Sequence, residues 1–224
     1  MKAFHNNPSI KEKYITRLQA HYQADEIIQG KYWENGKGCA IGCTIHSSNH
    51  KNYELELGIP KNIAYLQESI FESLPNNLAK QFPLEFLSSI KVGADLKNVK
   101  NLFTIWVLTD SKYGVLQYAE DKKIVQDVAD AISKNMVTPV SSEKWLKLMD
   151  NANAASNASA NSDSAYYGAY SAAAYSHAAA AAACSVFSTA APYYAASAGI
   201  SKNTKSEYYI AASKKLIELL KNSN

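Results

Sequence analysis

The chain has 224 residues, 47% hydrophobic and 19% charged, which is enough apolar material for a sizeable core and too much for disorder as its main state. Its net charge of +3 is the difference between 23 basic and 20 acidic residues, a balance that argues against a nucleic-acid or membrane partner. Arg17 is the sole arginine, and bidentate reading of phosphates and bases leans on arginine, so the nucleic-acid reading weakens further.

The first residues do not read as a signal peptide, because Lys11, Glu12 and Lys13 stand where an apolar run is needed. Three cysteines, Cys39, Cys43 and Cys184, do not suggest a disulfide framework, so a reducing cytoplasm is expected. Asn7 is placed to cap a helix with Pro8 in its first turn. Ile10, Tyr14, Leu18 and Tyr22 follow at helical spacing, and Gly30 fits the stop. Residues 31–52 carry three glycines, two cysteines and two histidines without a helical period and read as a structured loop.

A second helix begins near Pro60, shows an apolar stripe of Ile63, Leu66, Ile70 and Leu74, and ends at Pro75. Pro83 is expected to open a short helix through Phe86 and Ile90, with Gly93 closing it. Leu96, Val99, Leu102, Phe103, Trp106 and Val107 cover a wide face of a buried helix. Residues 102–108 also suit a strand by composition, but no second convincing strand lies nearby to pair with them. Ile124, Val128, Ala131 and Ile132 mark an amphipathic helix broken near Pro139.

Ser141 or Ser142 can cap the next helix, which carries Trp145, Leu146, Leu148 and Met149. From Ala152 to Ala198 the chain is a low-complexity mixture of alanine with Ser, Asn and Tyr. Alanine's helix propensity favours helices here, divided by Pro192 and Gly199. No Lys, Arg, Asp or Glu occurs between Asp163 and Lys202, but large aliphatics are few, so a bilayer span is not expected. Tyr208, Ala212, Leu216 and Leu220 mark the last helix. The expected fold is all-α: a bundle of helical hairpins, with residues 1–139 holding the Cys/His loop and residues 140–224 forming an Ala/Tyr-rich region packed with it. Alanine faces let helices approach closely, and the tyrosines fill the remaining space.

The chemistry concentrates in residues 36–50. Cys39, Cys43, His46 and His50 read as C-x3-C-x2-H-x3-H, and all four residue types suit zinc. On one helix they would spread over about 16 Å, so only a loop could close them around an ion. A second reading makes Cys43 a nucleophile with His21 or His46 as its base, and Asp25, four residues after His21, as the carboxylate that orients it. The third reading, which is favoured, buries both thiols as small hydrophobes in a tight loop. Glu68 and Glu72 read as a solvated face, and Asp95 as a cap.

Several strings resemble an undescribed bacterial family of helical proteins: His21-x-x-Ala24-Asp25, Gly30-x-Tyr32-Trp33, and Gly36-Lys37-Gly38-Cys39-Ala40-Ile41-Gly42-Cys43-Thr44-Ile45-His46. Glu54-x-x-Leu57-Gly58-Ile59-Pro60, Ile70-Phe71-Glu72-x-Leu74-Pro75 and Val92-Gly93-Ala94-Asp95-Leu96 extend the likeness. With its Ala-rich second half, the chain is similar to the immunity-protein-five-like proteins linked to bacterial polymorphic toxins. That resemblance implies a helical fold and a toxin domain as partner, and it implies no catalytic residues. Tyrosine is enriched at binding surfaces, so Tyr166, Tyr167, Tyr170, Tyr193 and Tyr194 are the candidate contacts. The competing expectation is a metal-binding or cysteine-dependent enzyme centred on the Cys39–His50 loop.

Overall fold

A computed structural model describes residues 1–49, 51–158, 169, 170, 173 and 202–224. They are all-α apart from one two-stranded hairpin. The helices are α1 (Pro8–Gln23), α2 (Ala40–Ile45), α3 (Lys51–Leu57), α4 (Lys61–Ser73), α5 (Asn76–Ser89), α6 (Val99–Thr109), α7 (Lys122–Asn135), α8 (Ser142–Ala158) and α9 (Lys202–Lys221). Among the described residues no helix is long and apolar enough to cross a membrane. The chain divides into two compact units, Met1–Val99 with Tyr209–Asn224, and Lys100–Tyr208.

The first unit begins with a left-handed turn. Phe4, His5 and Asn6 hold φ of 55°, 50° and 58°, a conformation that costs roughly 1–2 kcal/mol per residue. Full burial of Ala3 and Phe4 offsets that cost. The turn is pinned by Ala3 N donating to Ala94 O (3.0 Å) and Gly93 N donating to Ala3 O (2.9 Å). Asn7 then caps α1 by accepting from Ser9 N (3.0 Å), with Pro8 in the first turn as the sequence indicates.

Helix α1 stops at Gln23, well before Gly30, because Asp25 enters the left-handed region at φ 55° and Glu26 N turns back to His21 O (2.9 Å). The expected loop proves more ordered than its lack of period suggests. Strands β1 (Trp33–Glu34) and β2 (Lys37–Gly38) pair antiparallel around Asn35-Gly36. Both turn residues have positive φ, 52° and 83°, as a two-residue Asn-Gly hairpin turn requires. Helices α2 and α3 follow within the same stretch and at its end.

Helix α4 ends before Pro75, as expected. Helix α5 differs: it starts at Asn76 and carries Pro83 inside it instead of opening there. Proline at this position removes one backbone hydrogen bond and crowds the carbonyl four residues back, on Ala79. Burial of Ala79, Phe82, Phe86 and Leu87 on one face, packed against α1 and α4, sustains the helix through that defect. The C-terminal part of α9 adds Tyr209, Ala212, Leu216 and Leu220 to this core.

In the second unit, α6 buries Phe103, Val107 and Leu108, and Trp106 stacks on Tyr208 with ring centroids 6.0 Å apart. Helix α7 is capped by Asp121, which accepts from Lys123 N (3.0 Å), and buries Val125, Val128 and Ile132. It packs on α8, which buries Trp145, Leu148 and Ala152. Ala169 and Ala173 are fully buried helical residues. Tyr170 is helical and half-buried, while Tyr166, Tyr167, Tyr193 and Tyr194 lie outside the described residues.

Candidate histidine site

Two glycines bring the site together. A Cβ on Gly42 would sit 1.6 Å from Tyr32 O, and one on Gly38 would sit 2.2 Å from the same oxygen. Any side chain at either position would push the hairpin off α2. Close approach lets Cys39 N donate to Lys31 O (2.6 Å) and Tyr32 O (3.1 Å). Cys39 then caps α2, its sulfur accepting from Gly42 N at 3.5 Å. At the other end of α2, His46 adopts the left-handed conformation, φ 52° and ψ 41°, and its N–H donates to Gly42 O (2.8 Å). That cap folds the His46 ring over Trp33, stacked at 4.4 Å between centroids and 12° between planes.

The partner of His46 is His21, 9% exposed on α1. Their Nε2 atoms lie 2.8 Å apart. His21 Nδ1 lies 2.6 Å from Glu26 Oε2. A carboxylate accepts, so Nδ1 of His21 carries the proton of that bond. When His21 is neutral, its Nε2 lone pair faces His46, whose Nε2–H donates. Trp33 also meets the His21 ring edge-on at 5.5 Å and 82°, so one indole fixes both imidazoles. Burial, then Arg17 and His21, lower the His46 pKa below its ordinary value, while Glu56 and Glu26 oppose that shift.

Arg17 lies one turn before His21 on α1. It donates to Thr44 O (2.8 Å), and its guanidinium rests 5.0 Å from the Tyr14 ring centroid. Tyr14 in turn donates to the Glu56 carboxylate. Burial, followed by that bond, raises the Tyr14 pKa well above the ordinary phenol range.

Both loop thiols are buried. Cys43 is 0% exposed, donates to Gly38 O (3.3 Å) and Glu26 O (3.6 Å), and burial pushes its pKa up to about 12. Cys39, 1% exposed, lies 3.9 Å from Glu68 Oε1, and burial pushes it up to about 11. Both are thiols at neutral pH, so neither is an activated nucleophile in this arrangement. His21 bonds Glu26 and His46, and Cys43 bonds backbone carbonyls.

Of the expected zinc set, Cys39, Cys43 and His46 lie in or beside α2, and His50 lies outside the described residues. Among the described residues, no three His, Cys, Asp or Glu side chains are grouped to hold one ion. The carboxylate that orients His21 is Glu26, not Asp25. Asp25 follows the end of α1 and pairs with Lys80 instead. Glu72 is exposed, as a solvated face requires, and it also accepts from Gly30 N (2.8 Å), while partial burial of its carboxyl raises its pKa. Beside it, Gln29 Nε2 donates to Phe71 O (2.7 Å) and Leu74 O (2.9 Å), closing the end of α4. Glu26 and Gln29 escape sequence reading because they follow the end of α1 and keep no period with it. Compared with protein-family models, curated proteins and solved structures, the chain finds no match in any of the three.

Proposed function

We propose that this chain is a protein-binding protein of the immunity type, which neutralises a toxin domain by occupying its surface. The observation that carries the reading is how the strings behind the resemblance use their polar groups. His21 bonds His46, Gly30 N bonds Glu72, and Gly38 and Gly42 close on Tyr32 O. Residues of this kind spend their polar groups on one another, so they define a scaffold and leave recognition to exposed side chains. Tyr32 at 55% and Leu55 at 73% exposure are apolar area of that sort in the first unit. The buried, protonated thiols lend no support to the cysteine-dependent alternative.

The test is co-expression of the chain with toxin domains encoded beside it, together with pull-down of the same domains. Protection and a stable complex are expected for one of them. Full toxicity with no complex across the set overturns the reading.

A further inference from the structure

We propose that His21 and His46 form a binding site for a divalent transition cation, with the metal taking the place of the proton they share. Two imidazole Nε2 atoms converge at 2.8 Å from elements far apart in sequence, the last turn of α1 and the C-cap of α2. Zinc–nitrogen bonds are about 2.0–2.1 Å, so two nitrogens on a tetrahedral ion stand about 3.3 Å apart. The nitrogens need to open by about 0.5 Å, and because ring centroids 5.1 Å apart place the two Nε2 atoms in line with each other, each ring also turns by roughly 35° to aim its lone pair at the ion.

Three further features fit a metal. Glu26 holds the far nitrogen of His21, the carboxylate–histidine arrangement that fixes a ligand's tautomer and raises its basicity. Trp33 holds the plane of His46 by stacking and meets His21 edge-on, so the turn of His46 toward an ion is one within its stacked plane. Glu26 and Glu56 both place negative charge near the His46 ring. Arg17 is the opposing charge, and it is engaged by Thr44 O and the Tyr14 ring. On binding, the ion takes a nitrogen lone pair from each ring; the His46 proton leaves Nε2 and one is taken up at Nδ1, so the neutral ring changes tautomer. Two protein ligands supply half of a tetrahedral shell, and water would supply the rest. The ligand set contains no sulfur, which separates this site from one built on Cys39 and Cys43.

The experiment titrates the full-length chain with Zn2+ by calorimetry in a non-coordinating buffer, and with Co2+ by absorption spectroscopy. One equivalent is expected, with no net proton release from the neutral pair and a Co2+ spectrum free of the thiolate charge-transfer band. Glu26→Gln is expected to weaken binding by about 10–100-fold. His21→Ala and His46→Ala are expected to lose it, and Cys39→Ser to retain it. Because the histidine variants remove a buried contact, nitrogen couplings in the electron spin resonance of the Cu2+-loaded unaltered chain supply a readout independent of their folding. Two imidazole nitrogens are expected. No binding by the unaltered chain, a thiolate band, or Cu2+ without two imidazole couplings overturns the proposal. A chain that binds metal but no toxin domain leaves this site standing and removes the function proposed above.

Discussion

His21 and His46 are joined nitrogen to nitrogen at 2.8 Å across 25 positions of sequence. Neither residue alone sets that contact. Helix α1 must end two residues after His21, the hairpin must fold back, and α2 must be short enough that His46 caps it in the left-handed region. Gly42 is the hinge of this arrangement, because the hairpin lies against it with no room for a methyl group.

Gly42→Ala is therefore expected to be among the most damaging single changes in the first unit. The added Cβ meets Tyr32 O at 1.6 Å, and backbone oxygen cannot step aside as a flexible side chain would. Overpacking of this kind costs about 3 kcal/mol or more. Urea unfolding of the variant should show the loss. A midpoint equal to that of the unaltered chain would contradict the close approach.

The parts of the fold legible in the sequence were those set locally. Asn7-Pro8 caps α1, and Pro60 and Pro75 bracket α4, because capping and proline act within one turn. Pro83 misleads for the converse reason: burial of Phe82 and Phe86 against neighbouring helices outweighs its local cost. The Asn35-Gly36 turn was readable by its residue types but is masked by the aperiodic run around it. The cysteines, histidines and glycines of residues 36–50 do mark where half of the candidate site lies. Its wiring was not legible, because the His21–Glu26 bond depends on where α1 ends and the His21–His46 bond on a tertiary approach.

Thiol reactivity checks the burial of the loop. With pKa values near 11 and 12, Cys39 and Cys43 are thiolate in only about one molecule in a thousand or fewer at pH 8. In a Cys184→Ser background, alkylation of the folded chain is expected to be slow and to become fast in denaturant. Fast labelling under native conditions would place a thiol at the surface. The same shifts fix a sign for stability. The folded state holds these protons more tightly than the unfolded one, so their contribution is complete below about pH 9 and falls as pH rises toward 11 and 12. Denaturant midpoints measured from pH 7 to 10.5 should decline above pH 9, and less so in Cys39→Ala.

Gly36→Ala tests the hairpin alone. Gly36 has φ 83° with nothing within 4 Å of an added Cβ, so the change introduces backbone strain without a clash. A cost of about 1 kcal/mol is expected, whereas Asn35→Gly should be nearly neutral because glycine accepts the same conformation. Thermal unfolding of the two variants distinguishes them. Equal midpoints would show that the hairpin contributes nothing to the stability of the unit.

Glu26 and Asp25 are adjacent carboxylates with unlike surroundings, and the comparison decides which one orients His21. Glu26 is 30% exposed against a His21 side chain that is 11% exposed, and its removal leaves the Nδ1–H of a largely buried imidazole without its acceptor. That loss costs roughly 1–3 kcal/mol. The Asp25 side chain is 74% exposed and pairs with Lys80 at the surface, where an ion pair contributes little and is screened by salt. Glu26→Ala should therefore lower the urea midpoint by a clear margin that persists in 0.5 M salt, while Asp25→Ala should move it little and less still in salt. Nitrogen NMR of the imidazoles gives the sharper reading. Glu26→Ala should release the fixed His21 tautomer and redistribute its proton between Nδ1 and Nε2, and Asp25→Ala should leave it unchanged. The opposite pattern would assign the orienting role to Asp25, and the chain from Glu26 through His21 to His46 would lose its first link.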